Sequence, residues 1–196
     1  MNQEEYLKKL YSSRFDPKQR KAKFILWKTL TEEFLQKYID PESVVLDIGG
    51  GYCEFINQVK AREKYLIDLN PDSQLFAAPN VTIFNVDILN IKDQNILAKQ
   101  YDTVFVSNFF EHLNSKEDLV KVLLFCFNHL NPGGSILIIQ PNFKYSVKEY
   151  YDFIDHQLPI THLSLKEVLS CYASNFTVSF SELLVGWASC PSLYSI

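Results

Sequence analysis

Glycine is scarce in this chain, six in 196 residues, and three of the six stand together at Gly49-Gly50-Gly51. No apolar run approaches the roughly 18 residues that a membrane-spanning helix needs. The first residues are polar, so neither a signal peptide nor a transmembrane segment is expected. The four cysteines, Cys53, Cys126, Cys171 and Cys190, form no C-x-x-C pair and sit in apolar surroundings. They fit reduced thiols in a cytoplasmic protein, and no metal site is expected. Internal repeats and low-complexity tracts are absent too. The formal net charge of −4 gives no sign of nucleic-acid binding. Its distribution is uneven: the first thirty residues hold eight basic side chains against three acidic ones. That stretch reads either as a solvated helix face or as a lid, with Arg14 and Arg20 holding an anionic acceptor or lying near a membrane surface.

What is present points to one α/β arrangement. The run Val44-Val45-Leu46-Asp47-Ile48 ends in the three glycines and resumes as an apolar-periodic segment from Tyr52. A buried strand, a tight turn and a helix start account for it. Glycine lacks a Cβ, so such a turn takes positive φ and lets a ligand come close to the backbone. The dinucleotide pattern G-x-G-x-x-G fails, because Glu54 occupies its third glycine position. About twenty residues on, a short strand ends at Asp68-Leu69, where an acid can accept both hydroxyls of a ribose.

The remaining segments follow in regular order. Residues 1–40 read as a basic helical segment with Phe24, Trp27, Leu30, Phe34 and Tyr38 on one face, broken upstream at Tyr11–Pro17. Residues 41–196 read as one domain. Val81–Val86 is a third strand closing at Asp87-Ile88, and Tyr101 to Leu113 a fourth strand with its exit loop. Ligands bind at the carboxyl ends of parallel strands, so Asn108, Glu111 and His112 should face the site. A helix from Ser115 to Asn128 stops at Leu130–Gly134, and Ser135–Gln140 is a buried fifth strand. The aromatic insert 143–163, with Asp155 and His156, reads equally as a pocket wall or as a packed lid. Ser164 and Glu167 form a capping box for a helix to about Ala173, and Phe176–Ser181 a sixth strand. The tail Leu183–Ile196 has no charged side chain. Too short for a well-formed final strand, it reads as an abbreviated strand, as an edge that another chain, such as a second copy of this one, completes, or as a truncated end.

The pattern D-x-G-x-G at Asp47–Gly51 resembles motif I of class I S-adenosylmethionine (SAM) methyltransferases. The order of Val44–Phe55, Ile67–Asp72, Asp87, Asp102–Leu113 and Leu130–Pro141 resembles the same family across roughly residues 40–140. The combination of Gly51–Ile56, Asp68–Pro71, Ser107–Leu113 and Tyr151–Thr161 looks like a bacterial subgroup associated with cell-surface polysaccharide clusters. The resemblance implies a Rossmann-like, doubly wound, mostly parallel sheet and S-adenosyl-L-methionine as cofactor. It implies a cofactor site of Asp47, Gly49, Gly50, Gly51, Asp68, Leu69, Asp87, Ile88 and Asn108. Asp87 would accept from the adenine amino group and Ile88 would pack on the ring. Cys53 departs from the family, which places glycine or another small residue there. If the position needs positive φ, its Cβ costs about 1–2 kcal/mol.

The implied reaction is in-line displacement at a sulfonium methyl by a small acceptor, a sugar or sugar-nucleotide intermediate. Positioning can supply about 7–11 kcal/mol of the barrier. A base would add about 10²–10⁴-fold. Glu111, His112 and His156 are the candidates to orient or deprotonate the acceptor. His112 could equally be a hydrogen-bonded structural histidine. Two other classes fit less well: a SAM-binding scaffold without turnover, and a nicotinamide oxidoreductase, against which the missing third glycine counts.

Overall fold

Four apolar residues and the buried Asp47 make Val44–Ile48 a strand buried over its whole length, β1. In the computed structural model, which describes Lys9 and residues 17–172, β1 lies at the centre of the sheet. Around it stand β2 (Glu63–Ile67), β3 (Val81–Phe84), β4 (Tyr101–Ser107) and β5 (Leu130–Ile139), in the order β3-β2-β1-β4-β5. Every pairing is parallel. Buried parallel strands are rich in apolar residues, and the central strands β1, β2 and β4, the most buried of the sheet, follow that pattern. Ile48 pairs with both Ile67 and Val106. The carboxyl ends of β1, β2 and β4 are therefore level, and Gly49, Asp68 and Asn108 follow from one edge. The strand order reverses between β1 and β4, the switch point at which open parallel sheets bind ligands. This is the doubly wound, Rossmann-like sheet of the expectation.

The described chain falls into two units. One holds the residues through Phe109 together with Leu124–Ile139, and the other Phe110–Leu123 with the residues from Gln140 onward.

In the first unit, helix α1 (Pro17–Glu33) packs through Trp27 into a core with Leu35, Val45, Phe55, Ile56, Leu66 and Phe105. Trp27 meets Phe105 edge-on at 6.2 Å, and Phe55 stacks on the same ring at 3.8 Å. Trp27, Leu30 and Phe34 of the expected face pack on this core, and its two ends do not. Phe24 and Tyr38 are 48% and 55% exposed, whereas Trp27, Thr31 and Leu35 are buried. The helix stops at Glu33 and tightens into a 3₁₀ turn at Leu35–Tyr38, so the phase shifts and Tyr38 turns outward. Helix α2 (Glu54–Gln58) follows the glycine turn, and α3 (Gln94–Leu97) precedes β4. Strand β5 begins at Leu130, five residues before the expected start. Between Tyr101–Leu130 and Thr103–Ser135 its register shifts, and Pro132, with no N–H to donate, sits in that irregularity.

Helix α4 (Lys116–Asn128) has residues in both units. It starts as expected, with Ser115 Oγ accepting the Asp118 N–H at 3.1 Å. In the second unit, α5 runs His162–Tyr172 and buries Leu165 and Leu169. Its cap is Thr161, whose Oγ1 accepts the Ser164 N–H at 3.1 Å. Ser164 thus lies one turn inside the helix, because the hydroxyl three residues earlier reached the free N–H first. The aromatic insert is packed in part, around Tyr150, while Tyr145, Tyr151 and Ile154 are exposed. Tyr150 is buried, meets Phe143 edge-on at 5.1 Å and donates to Leu158 O at 2.5 Å. No helix of the described residues is long and apolar enough to cross a membrane. Arg14, the sixth strand expected at Phe176–Ser181 and the uncharged tail lie outside the described residues.

Candidate functional site

Each glycine of the turn has its own reason to be glycine. Gly49 has φ +71°, and a Cβ there would stand 2.5 Å from Phe109 Cδ2. At Gly50 a Cβ would meet Asp47 Oδ2 and Leu66 Cδ1, both at 2.5 Å. Gly51 has φ +54° and nothing within 4 Å of where its Cβ would be. The first two glycines are demanded by packing, and the third faces open space that a ligand can enter.

The turn's N–H groups are mostly spoken for. Gly49 N–H donates to Ile67 O at 2.8 Å and Cys53 N–H to Gly50 O at 2.8 Å. Gly51 N–H donates to Asp68 Oδ2 at 2.8 Å, while Asp68 Oδ1 accepts the Asn70 N–H at 2.7 Å. Asp68 thereby braces the turn and keeps a lone pair on each oxygen. Cys53 has φ 63°, so the position does call for glycine-like backbone. Its thiol is fully buried and donates to Ser73 O at 3.4 Å. Burial first, then the charges of Asp47, Asp68 and Glu54, push the thiol up to about 12.

Negative charge is concentrated under the turn. Asp47 is 1% exposed, and its Oδ2 has no hydrogen-bond partner among the described residues. Burial, then Asp68 and Glu54, hold its carboxyl well above the usual range. Burial also raises Asp68, against the pull of the Asn70 and Gly51 N–H groups. Glu54 pairs with Lys23 Nζ at 3.0 Å. Lys23 and Arg20 also stand over the Tyr52 ring, at 5.4 and 5.0 Å. The basic stretch of α1 thus reaches the glycine turn itself. Tyr52, Glu54 and the contact of Arg20 escaped sequence reasoning, because no local pattern announces a contact thirty residues away.

The other expected cofactor residues are spread along the same carboxyl edge. Asp87 caps the turn Ile88–Asn90: its Oδ1 accepts the Leu89 N–H at 2.9 Å and its Oδ2 the Asn90 Nδ2 at 2.7 Å. Asp87 and Ile88 are half-buried, and Leu69 is exposed. Asn108 has φ 46°; its N–H donates to Ile139 O at 2.9 Å and its Nδ2 to Ser107 Oγ at 2.9 Å. Cys53 and Asn108 are the only non-glycine residues at positive φ among those described. One follows β1 and the other β4, the two strands that flank the switch point, and backbone strain of this kind gathers at functional sites.

The three candidate catalytic residues meet within the second unit. Glu111, 1% exposed in the 3₁₀ turn Phe110–His112, accepts from Gln140 Nε2 through its Oε2 at 2.9 Å. Its carbonyl accepts the Gln157 and Leu158 N–H groups at 2.7 and 3.1 Å, which fixes the turn. Burial raises the Glu111 carboxyl. His112 Nδ1 lies 3.0 Å from Asp155 O and 3.3 Å from Asp155 Oδ2. A carbonyl can only accept, so Nδ1 carries the proton. In the neutral ring Nε2 then presents a lone pair, 3.9 Å from Glu111 Oε1. The His156 ring stands 5.2 Å from that of His112 and stacks on Phe153 at 4.9 Å. Gln140 was missed; its one signal was a polar residue ending an otherwise apolar strand.

Residues 18–170 match a family described as Methyltransferase domain. Among solved structures, a SAM-dependent methyltransferase from Archaeoglobus fulgidus is similar at 25% identity and TM-score 0.64, over 76% of this chain and 68% of that one. The N-methyltransferase NodS from Bradyrhizobium japonicum WM9, in complex with S-adenosyl-L-homocysteine (SAH), is 16% identical, TM-score 0.53, over 70% and 72%. The plantazolicin methyltransferase BpumL, in complex with a monoazolic desmethylPZN analog and SAH, is 17% identical, TM-score 0.59, over 86% and 77%. At those identities the last two are likenesses of fold. Among curated proteins no sequence matches.

Proposed function

Since the chain belongs to the methyltransferase-domain family, we propose that it methylates a small acceptor, a sugar or sugar-nucleotide intermediate, with SAM as donor. The observation that carries the cofactor side is the turn Gly49–Gly51, open above Gly51 and underlain by the buried, unpartnered Asp47 oxygen. A surplus of carboxylates at such a turn suits a ligand that brings positive charge. SAM, when bound, supplies a methyl group already activated on a positively charged sulfur.

The chain's own residues then take these parts. Gly51 lets the ligand reach the backbone, and Asp68 accepts from ribose hydroxyls with its remaining lone pairs. Asp87 accepts from the adenine amino group, with Ile88 and Leu69 against the ring. Asn108 marks the end of β4 beside the turn's open side. Asp47 acts through the turn, by charge and by packing on Gly50. Glu111, His112 and His156 orient the acceptor and promote loss of its proton. Arg20 and Lys23, held over Tyr52, favour an acceptor that carries negative charge.

Calorimetric titration with SAM and SAH, beside an Asp68→Ala control, tests the cofactor reading. Micromolar binding lost in the control supports it; a folded protein that binds neither compound overturns it. Release of SAH in the presence of sugars and sugar nucleotides then tests the acceptor class.

A further inference from the structure

Glu111 Oε1 and His112 Nε2 confront each other as two acceptors. The Nδ1 proton of His112 is committed to Asp155 O at 3.0 Å, so a neutral ring turns its lone pair toward the carboxylate at 3.9 Å. A cation between them, or a proton on either group, removes that conflict. A ligating nitrogen of His156 completes the set, and the three ligand atoms lie within 4.8 Å of one another. We propose that Glu111, His112 and His156 bind one divalent transition-metal ion of the zinc class.

The donor set supports this choice. Two imidazoles and one carboxylate are the three protein ligands of many open zinc sites, in which a further position is left for water or substrate oxygen. Metal–ligand bonds of about 2.0–2.2 Å put tetrahedral neighbours about 3.4 Å apart, so closing on an ion takes side-chain movements of about 1 Å. The supporting shell is already built. A metal-bound histidine usually gives its other N–H to a carbonyl or carboxylate, and Asp155 offers His112 both, at 3.0 and 3.3 Å. The second oxygen of Glu111 is held by Gln140 at 2.9 Å. The Glu111 carbonyl takes two N–H bonds from Gln157 and Leu158, so the turn that carries two of the ligands is anchored. His156 is fixed by ring contacts with Phe153 and Tyr150, both at 4.9 Å. The alternative arrangement has a proton in place of the ion, on the Glu111 carboxyl that burial raises or on His112.

The ion would be a ligand of the cluster assigned above to the acceptor. Its binding is measured separately from that of SAH, so either reading can fail alone. The probe is Zn²⁺ by calorimetry and Co²⁺ by visible absorption, on the full chain in a Cys171→Ser, Cys190→Ser background that removes competing C-terminal thiols. One ion per chain at micromolar affinity or tighter is expected, with tetrahedral or five-coordinate cobalt bands. His156→Asn should abolish saturable binding. Asp155→Asn, which keeps every ligand and weakens only the support of His112, should lower affinity about 10-fold. Both variants should bind SAH unchanged, and Asp155→Asn should melt as the parent does. Absence of saturable binding, or binding unaltered by both substitutions, would overturn the site and leave a proton shared between Glu111 and His112 in its place.

Discussion

Asp68 Oδ2 accepts the Gly51 N–H at 2.8 Å, so the acid that ends β2 is tied directly to the third glycine after β1. The contact spans seventeen residues of chain and joins the two groups assigned to the nucleoside. Asp68→Ala leaves the Gly51 and Asn70 N–H groups without their partner, a loss of about 1–3 kcal/mol for an orphaned buried donor. Urea denaturation should show that loss, and calorimetry should show SAH binding weakened at least tenfold, about 1.4 kcal/mol. Full SAH affinity in the variant would remove Asp68 from the cofactor site.

Gly50 and Gly51 should respond to alanine in opposite ways. At Gly50 the new Cβ stands 2.5 Å from Asp47 Oδ2 and Leu66 Cδ1. Overpacking of this kind costs about 1–3 kcal/mol, and the melting temperature should fall. At Gly51 no atom is within 4 Å, so the fold bears only the left-handed backbone cost of about 1–2 kcal/mol. There the larger effect should be on SAH affinity, since the methyl enters the space reserved for the ligand. Unchanged affinity in Gly51→Ala would place the ligand elsewhere.

The sheet was legible in the sequence because each strand carries a short apolar run, and the site's edge because the glycines and Asp68 close two neighbouring strands. The fifth strand, expected buried, is half-buried over Ser135–Ile139. Even the need for a glycine-like backbone at Cys53 could be foreseen and is met at φ 63°. The start of β5 was hidden, because Asn131-Pro132-Gly133-Gly134 has the composition of a turn while forming an irregular stretch of strand. The middle of the α1 face was legible, with Trp27, Leu30 and Phe34 on the core, but Tyr38 was misplaced because the chain tightens into a 3₁₀ turn that a 3.6-residue period does not register. Glu111 and His156 could be named from their segments, but not the grip of Gln140 on Glu111. Such contacts are set by tertiary packing, and no spacing along the chain encodes them.

Thiol reactivity should separate the cysteines by burial. Cys53 and Cys126 are fully buried, and burial pushes both thiols up to about 12. Cys171 is exposed on α5. The thiolate is the reactive form. At pH 8 a thiol near 12 is ionised to about one part in 10⁴. Peptide mapping after brief alkylation at pH 8 should find Cys171 modified and Cys53 and Cys126 protected until urea unfolds the chain. Rapid native-state alkylation of Cys53 would show that the glycine turn opens readily.

Asp47 should make the ligand-free protein less stable as the pH rises. Its folded-state carboxyl is held well above the usual range by burial, then by Asp68 and Glu54. A raised acid binds its proton more tightly in the folded chain than in the unfolded one. The stability that this proton confers is therefore fully present below the unfolded value of about 3.9, and it is lost as pH rises through the folded one. Asp47→Asn removes this titration and should be the more stable protein at neutral pH. A gain of about 1 kcal/mol would raise the melting temperature by about 2–4 °C in a chain of this size. A positively charged ligand should act in the opposite sense, drawing the carboxyl down and releasing protons as it binds. SAM carries a sulfonium charge that SAH lacks, so calorimetry in buffers of different ionisation enthalpy should find more protons released with SAM. In Asp47→Asn that difference should shrink. Equal release by both ligands in the parent protein would mean that the carboxylates under the turn do not sense the sulfonium, and the electrostatic reading of the site would fall.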